Sequence, residues 1–351
     1  MRVVEEELSL GPVRVEIGRG SISALREVKG KKALIYPRSL SKIAEKFKGE
    51  FDLVYAVEDG EKGKDIQNVL DLAKNLLQAG FTRWDTVVSL GGGTVSDLAG
   101  FTASIYMRGI NLVNVPTTLL GMVDASIGGK NGINFGGFKN LLGTFYHPSL
   151  IVEDLDFLDS LPQVEITRGM AEVIKYAVTL DKGLYDYLAE KDGAVKSREE
   201  EVMEEVVERS VLDKLQVVKA DERETKGIRI VLNFGHTMGH AIEASTGFEV
   251  SHGEAISVGM VCESKIAEEL GFAEEGVVED VVWILRLYGL PITVEELKVK
   301  PDVGRAKEAL SKDKKLGPEG ILMPFPSRLG AWRRVEVPVS VMEGFVEQCL
   351  R

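Results

Sequence analysis

The sequence predicts an α/β protein whose first half carries a parallel sheet and whose second half is mostly helical. Two observations predict it. Over the first 150 residues, short β-branched runs alternate with helical periodicity, the pattern of strands joined by crossover helices. Beyond about Leu155 long helical patterns dominate and strand signals nearly vanish. The strands are ALIY at 33–36, LVYAV at 53–57, TVVSL at 86–90 and INLVNV at 110–115. A 3.6-residue period from Ile66 to Ala79 predicts a helix, and Gly80 supplies the left-handed residue expected after it. Pro116 closes the last of these strands. Later helices are expected at 165–180, 199–219, 235–245, 253–270 and 277–288, with one strand, ILMPF, at 321–325. The acidic cluster from Glu199 to Glu208 keeps Val and Met at helical spacing and reads as a solvated helix face.

The chain has 351 residues, 44% of them apolar and 28% charged, which excludes fibrous and disordered classes and suggests about two domains. With 55 Asp+Glu against 43 Lys+Arg the net charge is -12, which argues against nonspecific nucleic-acid binding. Cys262 and Cys349 are the only cysteines, too few for a disulfide framework. The stretch MRVVEEELSL lacks the layout of a signal peptide, and no apolar run reaches the roughly 20 residues of a membrane helix, so a cytoplasmic protein with no membrane contact is expected.

Gly91, Gly92 and Gly93 follow the strand TVVSL and precede a helical run near Val95, so backbone amides can approach a diphosphate at a helix N-terminus. Ser96 stands where the third Gly of GxGxxG falls, and tight-turn glycines without a ligand are the alternative. The Gly-rich tract 116–145 shows little periodicity and is expected to be a long functional loop that offers Lys130, Lys139 and Asn140 to an anion. A surface loop with solvated lysines is its bland counterpart. Of four histidines, His236, His240 and His252 fall within 17 residues, a concentration that points to a metal. Spacing alone pairs His236 with His240 on one helix face, and HTMGH lacks the general base of HExxH. Glu172 sits in an otherwise apolar helical stretch three residues before Lys175, a candidate third ligand or an ordinary ion pair. The cations of 214–229 and of KDKK at 312–315 suit a substrate with more than one negative group.

Taken in order, GGGTVSDLAGF, YMRG, PTTLLGMVDASIGGK, KNLLGTF, GMAEVIKYA, LNFGHTMGHAIE, SHGEAISVGM and DKK resemble the 3-dehydroquinate synthase family of sugar-phosphate cyclases, over about residues 55–330. The resemblance implies a Rossmann-like NAD-binding domain over 1–155 and a helical metal- and substrate-binding domain over 156–351. It implies a lyase that converts 3-deoxy-D-arabino-heptulosonate 7-phosphate, a phosphorylated keto acid, into 3-dehydroquinate and phosphate in the shikimate pathway. NAD is catalytic in that reaction, and a divalent metal, zinc or cobalt, assists it.

Carried onto this sequence, the resemblance implies metal ligands Glu172, His236 and His252, with His240 turned to substrate. That differs from the pairing that spacing favours. It places NAD on Gly91, Gly92, Gly93, Asp97, Thr117 and Thr118, with Glu61 and Lys64 nearby and Lys130 and Lys139 reaching it as well. Asp124, Lys130, Lys139, Asn140, Lys175, Lys214, Arg229, Asn233, His240 and Lys314 then form the substrate pocket, with Lys315 an alternative to Lys314. Arg108 resembles a residue that reaches the phosphate in a neighbouring subunit, which implies a homodimer.

Three positions depart from the family pattern. Ser96 replaces a common Gly, Arg38 of PRSLSK stands where an acidic or amide residue usually meets the cofactor ribose, and His147 replaces a common Gln. A polyol dehydrogenase of the same fold needs the NAD and metal sites but not a ring of Lys, Arg and Asn, so the cation-rich pocket disfavours it.

Overall fold

The computed structural model describes residues 1–136, 138–311 and 320–350. The chain divides into two compact units, Met1–Leu161 with Met203–Arg223, and Pro162–Val202 with Glu224–Arg351. The first unit therefore takes in a helical segment that a single break after residue 155 assigns to the second.

In chain order the first unit contains β1 (Arg2–Leu8), β2 (Gly11–Ile17), β3 (Lys32–Pro37), α1 (Ser41–Phe47), β4 (Leu53–Val57), α2 (Ile66–Gln78), β5 (Thr86–Gly91), α3 (Gly93–Ile105) and β6 (Asn111–Pro116). There follow β7 (Lys130–Phe135), β8 (Phe138–Phe145), β9 (Leu150–Glu153) and α4 (Asp156–Asp159). A seven-stranded sheet runs in the order β1-β2-β9-β6-β5-β3-β4, antiparallel only at the β1–β2 hairpin. The parallel strands β3, β4, β5 and β6 match the apolar runs read from sequence, whereas β9, which pairs parallel with β2 and β6, was not read there, and β5 is buried along its whole length. The helix from Ile66 ends as its chemistry demands. Asp65 caps its N-terminus through the Asn68 amide, and Gly80, at φ 68°, reverses the chain after it.

Two expectations need correction. The tract 116–145 is not a long irregular loop: it makes one wide helical turn over Gly121–Ala125 and then the β7–β8 hairpin. Its strand signal is weak because β8 is exposed from Phe138 to Leu141 and alternates only between exposed and half-buried beyond that. The acidic face near Glu204 is not simply solvated either, since Arg2 of β1 pairs with Glu204, Glu205 and Glu208.

The remaining elements are α5 (Gln163–Thr179), α6 (Lys182–Glu190), α7 (Asp192–Ser197), α8 (Glu200–Ala220), α9 (His236–Ser245), α10 (His252–Glu269), α11 (Val277–Leu287), α12 (Val303–Ser311), β10 (Ile321–Arg328), β11 (Ala331–Val337) and α13 (Val339–Leu350). Most of α8 belongs to the first unit. In the second unit α10 packs against α5, α9 and α11, and its core includes Met238, Ile242, Val258, Ile266, Phe325 and Phe345. That central placement makes α10 the element on which neighbouring side chains converge.

Candidate active site

Three helices of the second unit build one polar cluster inside this apolar packing. Helix α5 buries Glu172 and Lys175 one turn apart, at 0% and 1% side-chain exposure, and the Lys175 ammonium binds Glu172 Oε2. Helix α9 opens on His236. Its N-terminus is held by Glu263 of α10, whose carboxylate accepts from the Gly235 and Met238 amides at 2.7 and 3.1 Å. Helix α10 opens on His252 behind a capping box made by Ser251 and Glu254. The two helices approach so closely that a Cβ on Gly259 would lie 2.0 Å from the Gly235 carbonyl oxygen.

This packing carries both imidazoles to Glu172. Its Oε1 lies 3.3 Å from His236 Nε2 and 3.1 Å from His252 Nε2. His236 Nδ1 lies 3.1 Å from the Phe234 carbonyl, which can only accept, so the ring proton sits on Nδ1 and Nε2 presents a lone pair. In the neutral ring, therefore, two acceptors face each other across the 3.3 Å between His236 Nε2 and Glu172 Oε1. A cation resolves that juxtaposition, and one carboxylate with two imidazoles is a donor set suited to zinc or cobalt.

Electrostatics agree. Burial would push the Glu172 carboxyl up, but the Lys175 ammonium, and His252 through its hydrogen bond, hold it well below the usual carboxylate range. Burial also lowers His236, keeping it neutral. His252 is opposed by burial yet pushed up to about 10 by Glu172 and Glu243, so without a metal this ring carries the charge. Glu243 Oε1 stands 3.5 Å from His252 Nδ1, behind the ring, where a carboxylate orients a metal-binding imidazole.

Among the described residues, the donor groups that close within 4.8 Å are Glu172 with His236 and His252, and His240 with Glu243 and His252. His236 and His240 fall in different groups, so the pairing suggested by helix spacing is corrected. The fold brings in His252 from another helix, and His240, more than half exposed, points its Nε2 to within 4.0 Å of Glu243. Arg229 and Asn233 lie at the two ends of a short helical turn, Arg229–Asn233, with Arg229 buried and its Nε 3.9 Å from Glu224.

The first unit holds a separate polar cluster near the carboxyl ends of β5 and β6. Gly92 precedes α3 and Gly93 is its first residue, where amide groups lack intrahelical acceptors. A Cβ on Gly93 would sit 2.9 Å from that of Ala125, so a side chain is excluded there. Ser96 turns its hydroxyl back onto the Gly93 carbonyl at 3.0 Å rather than outward. One turn into α3, Asp97 accepts from the buried Lys64 ammonium at 2.5 Å, and Asn140 accepts from the same ammonium at 2.6 Å. Burial pushes the Asp97 carboxyl up to about 6 against the pull of Lys64.

Asn140 itself is held at φ 51°, with its amide donating to Asn134 Oδ1, and the Asn134 side chain donates to Glu61 Oε2 at 2.8 Å. The Lys214 ammonium donates to the carbonyl and carboxylate of Asp124 at 2.5 and 2.8 Å. Thr118 accepts from the Gly121 amide at 3.0 Å, and Thr117 is buried beside it at the end of β6. Lys130 and Lys139 are exposed at the start of β7 and on β8. Arg108 is also exposed, in a turn where both it and Met107 take left-handed backbone angles of φ 66° and 49°.

Lys314 and Lys315 lie outside the described residues. Arg38 is exposed after β3, and the Asp59 carboxylate bonds neighbouring Ser39. His147 is buried, with its Nε2 2.7 Å from Glu222. Sequence reasoning missed Asn134, Glu243 and Glu263. The signal for Glu263 was present, a carboxylate within the apolar run GMVCESKIA, where an acid is unexpected without a partner.

Two family models match the chain, the 3-dehydroquinate synthase N-terminal domain over residues 54–168 and the C-terminal domain over residues 169–316. The chain belongs to the 3-dehydroquinate synthase family. Curated relatives named 3-dehydroquinate synthase include those of Sulfurisphaera tokodaii, 57% identical, and Sulfolobus acidocaldarius, 58% identical, each matching over 100% of both chains. Solved structures with the same fold include a 2-deoxy-scyllo-inosose synthase in complex with carbaglucose-6-phosphate, NAD+ and Co2+. It is 24% identical at a TM-score of 0.87, with 99% of this chain and 100% of that one covered. A 2-epi-5-epi-valiolone synthase from Streptomyces hygroscopicus with NAD+ and Zn2+ is 26% identical at a TM-score of 0.84, covering 100% and 98%. The 3-dehydroquinate synthase family thus accounts for both halves of the chain, including the histidine-bearing helices.

Proposed function

We infer that the chain converts 3-deoxy-D-arabino-heptulosonate 7-phosphate into 3-dehydroquinate and phosphate, a step of the shikimate pathway, using catalytic NAD and a divalent metal, zinc or cobalt. The observation that carries the reading is a cation-demanding donor set, Glu172, His236 and His252, in a chain 57% identical over its whole length to a curated 3-dehydroquinate synthase.

In this reading the first unit binds NAD and the second holds the metal. When bound, NAD supplies reversible hydride transfer at the C5 hydroxyl and the metal supplies Lewis-acid polarisation of the neighbouring oxygens. Gly91, Gly92 and Gly93 offer backbone amides to the diphosphate, and Thr117, Thr118, Asp97, Lys64 and Glu61 complete the cofactor contacts. Lys139 serves cofactor and substrate alike. Lys130, Asn140 and Arg108 hold the substrate phosphate by charge-assisted hydrogen bonds, Lys130 reaching the cofactor as well. One of the phosphate's own oxygens takes the C6 proton as phosphate leaves. Arg229 holds the carboxylate, while Lys175, Lys214, Asp124, Asn233, His240 and Lys314 orient the sugar hydroxyls. Ring opening and aldol closure then need chiefly positioning.

The chain acts as a cytoplasmic homodimer. Met107, on the turn after α3, and Phe135, Phe138, Leu141 and Phe145, on the β7–β8 hairpin, are large apolar side chains left exposed and available to a second copy. Arg108 follows Met107 in the same turn. Sedimentation of a Phe138→Glu, Leu141→Glu variant should give monomers where the parent chain gives dimers.

The direct test is phosphate release by metal-loaded protein with substoichiometric NAD, with free NADH followed by absorbance in the same cuvette. Many phosphates per NAD without NADH accumulation is the expected result. Stoichiometric NADH from glycerol and no phosphate release would make the chain a polyol dehydrogenase.

A further inference from the structure

The only two cysteines of the chain stand 87 positions apart, on α10 and α13, yet their side chains meet. Helix α13 packs against α10, and Cys349 in its last turn lies against the core that holds Cys262. Met342, Phe345, Val346 and Leu350 bury the same stripe of α13, so this register is fixed by packing and the thiols cannot slide apart without opening the core. Neither sulfur belongs to the donor groups described above.

We propose that Cys262 and Cys349 are a dithiol–disulfide site, oxidised by a peroxide to an intramolecular bond that ties α13 to α10. The order of events follows from access. Cys262 is buried, and its thiol is pushed well above the ordinary range by its bond to Cys349 and by burial, so it is a poor first nucleophile. Cys349 is half-buried and meets the oxidant first. Its sulfur, as thiolate, attacks one peroxide oxygen, the O–O bond breaks, and a sulfenic acid and hydroxide result. The Cys262 sulfur then loses its proton and displaces the sulfenic hydroxyl, and the released proton and the hydroxide leave as water. Across both steps two thiols and one hydrogen peroxide give one disulfide and two waters. Each sulfur gives up one electron, and the two peroxide oxygens are reduced.

The bond closes a loop over residues 262–349, a constraint on the unfolded chain large enough to raise the melting temperature by roughly 5–10 °C. The test uses the full chain loaded with zinc and NAD. It is titrated with hydrogen peroxide, its remaining thiols are alkylated in denaturant, and it is digested for mass spectrometry. We expect one peptide pair joined through Cys262 and Cys349, a chain lighter by two hydrogens, reversal by dithiothreitol, and the rise in melting temperature. Cys349→Ser should lack both the linked pair and the rise, and Cys349→Ala provides the same control should the serine disturb packing. Two thiols that stay alkylatable, oxygen added to Cys349 without linkage, or a bond between two chains would each overturn the proposal.

Discussion

Replacing Gly259 by Ala tests whether the approach of α9 to α10 is what assembles the donor set. The added Cβ would lie 2.0 Å from the Gly235 carbonyl oxygen and 2.9 Å from the Gly239 amide nitrogen. A carbon–oxygen contact settles near 3.3 Å, so α9 must retreat by about 1.3 Å at the turn that leads into His236. Metal sites hold donor distances to about 0.2 Å, so a displacement several times larger removes His236 from the set. Zinc affinity should fall at least about 100-fold, and the overpacking should cost roughly 1–3 kcal/mol of stability. Competition against a chromogenic chelator reads the affinity, and a circular-dichroism melt reads the stability. Zinc affinity within about threefold of the parent, with an unchanged melt, would refute the argument that glycine at this crossing builds the site.

Glu172→Gln should abolish zinc binding in the same competition and cost about 3–5 kcal/mol, because it strips the buried Lys175 ammonium of its carboxylate. Adding Lys175→Met should restore most of the melt while leaving zinc affinity lost. Asp97 should titrate near pH 6 by carbon NMR in the cofactor-free chain. Its folded pKa lies above the ordinary 3.8, so its contribution is most favourable below that pH and declines by up to about 3 kcal/mol as pH rises through 6, a slope absent in Asp97→Asn. Lys64→Met should weaken NAD binding by about tenfold in a fluorescence titration and move the Asp97 midpoint higher still, since Lys64 is what pulls it down. Arg229→Ala should raise KM for the keto acid phosphate by about 100-fold while leaving NAD affinity unchanged, and full retained activity would count against a carboxylate-bearing substrate.

Regular packing is what made parts of the molecule legible. The buried strands β3, β5 and β6 and helices α2, α5 and α11 have compact apolar runs or clean periods, and they stand where the sequence places them. Strand β1 escaped because Glu5, Glu6 and Glu7 interrupt its alternation, and β8 because only Leu142 and Thr144 of its eight residues are even half-buried. Histidine clustering pointed to a metal, and i, i+4 spacing paired His236 with His240, whereas the fold groups His236 with His252 and Glu172. The choice of His252 over His240 depends on how closely two helices cross, which no local pattern encodes. Glu243 carries no signal of its own in the sequence, and its place behind His252 comes from the fold. Family resemblance named the three residues that the fold draws together, Glu172, His236 and His252, whereas the neighbouring groups Glu243, Glu263 and Asn134 emerge only from contacts.

Asn140 illustrates how two unrelated demands can leave one letter at a position. Its φ of 51° is comfortable for Gly and tolerable for Asn or Asp, which strikes out the β-branched and bulky residues. The Lys64 ammonium needs an oxygen there, which strikes out Gly. Asp would supply one, but as a second carboxylate facing the same ammonium beside Asp97, whose own ionisation already labours against burial. What survives is a neutral amide on a left-handed backbone. Torsion and charge act together at this position, so Asp, nearly the same shape as Asn, would not be an equivalent replacement.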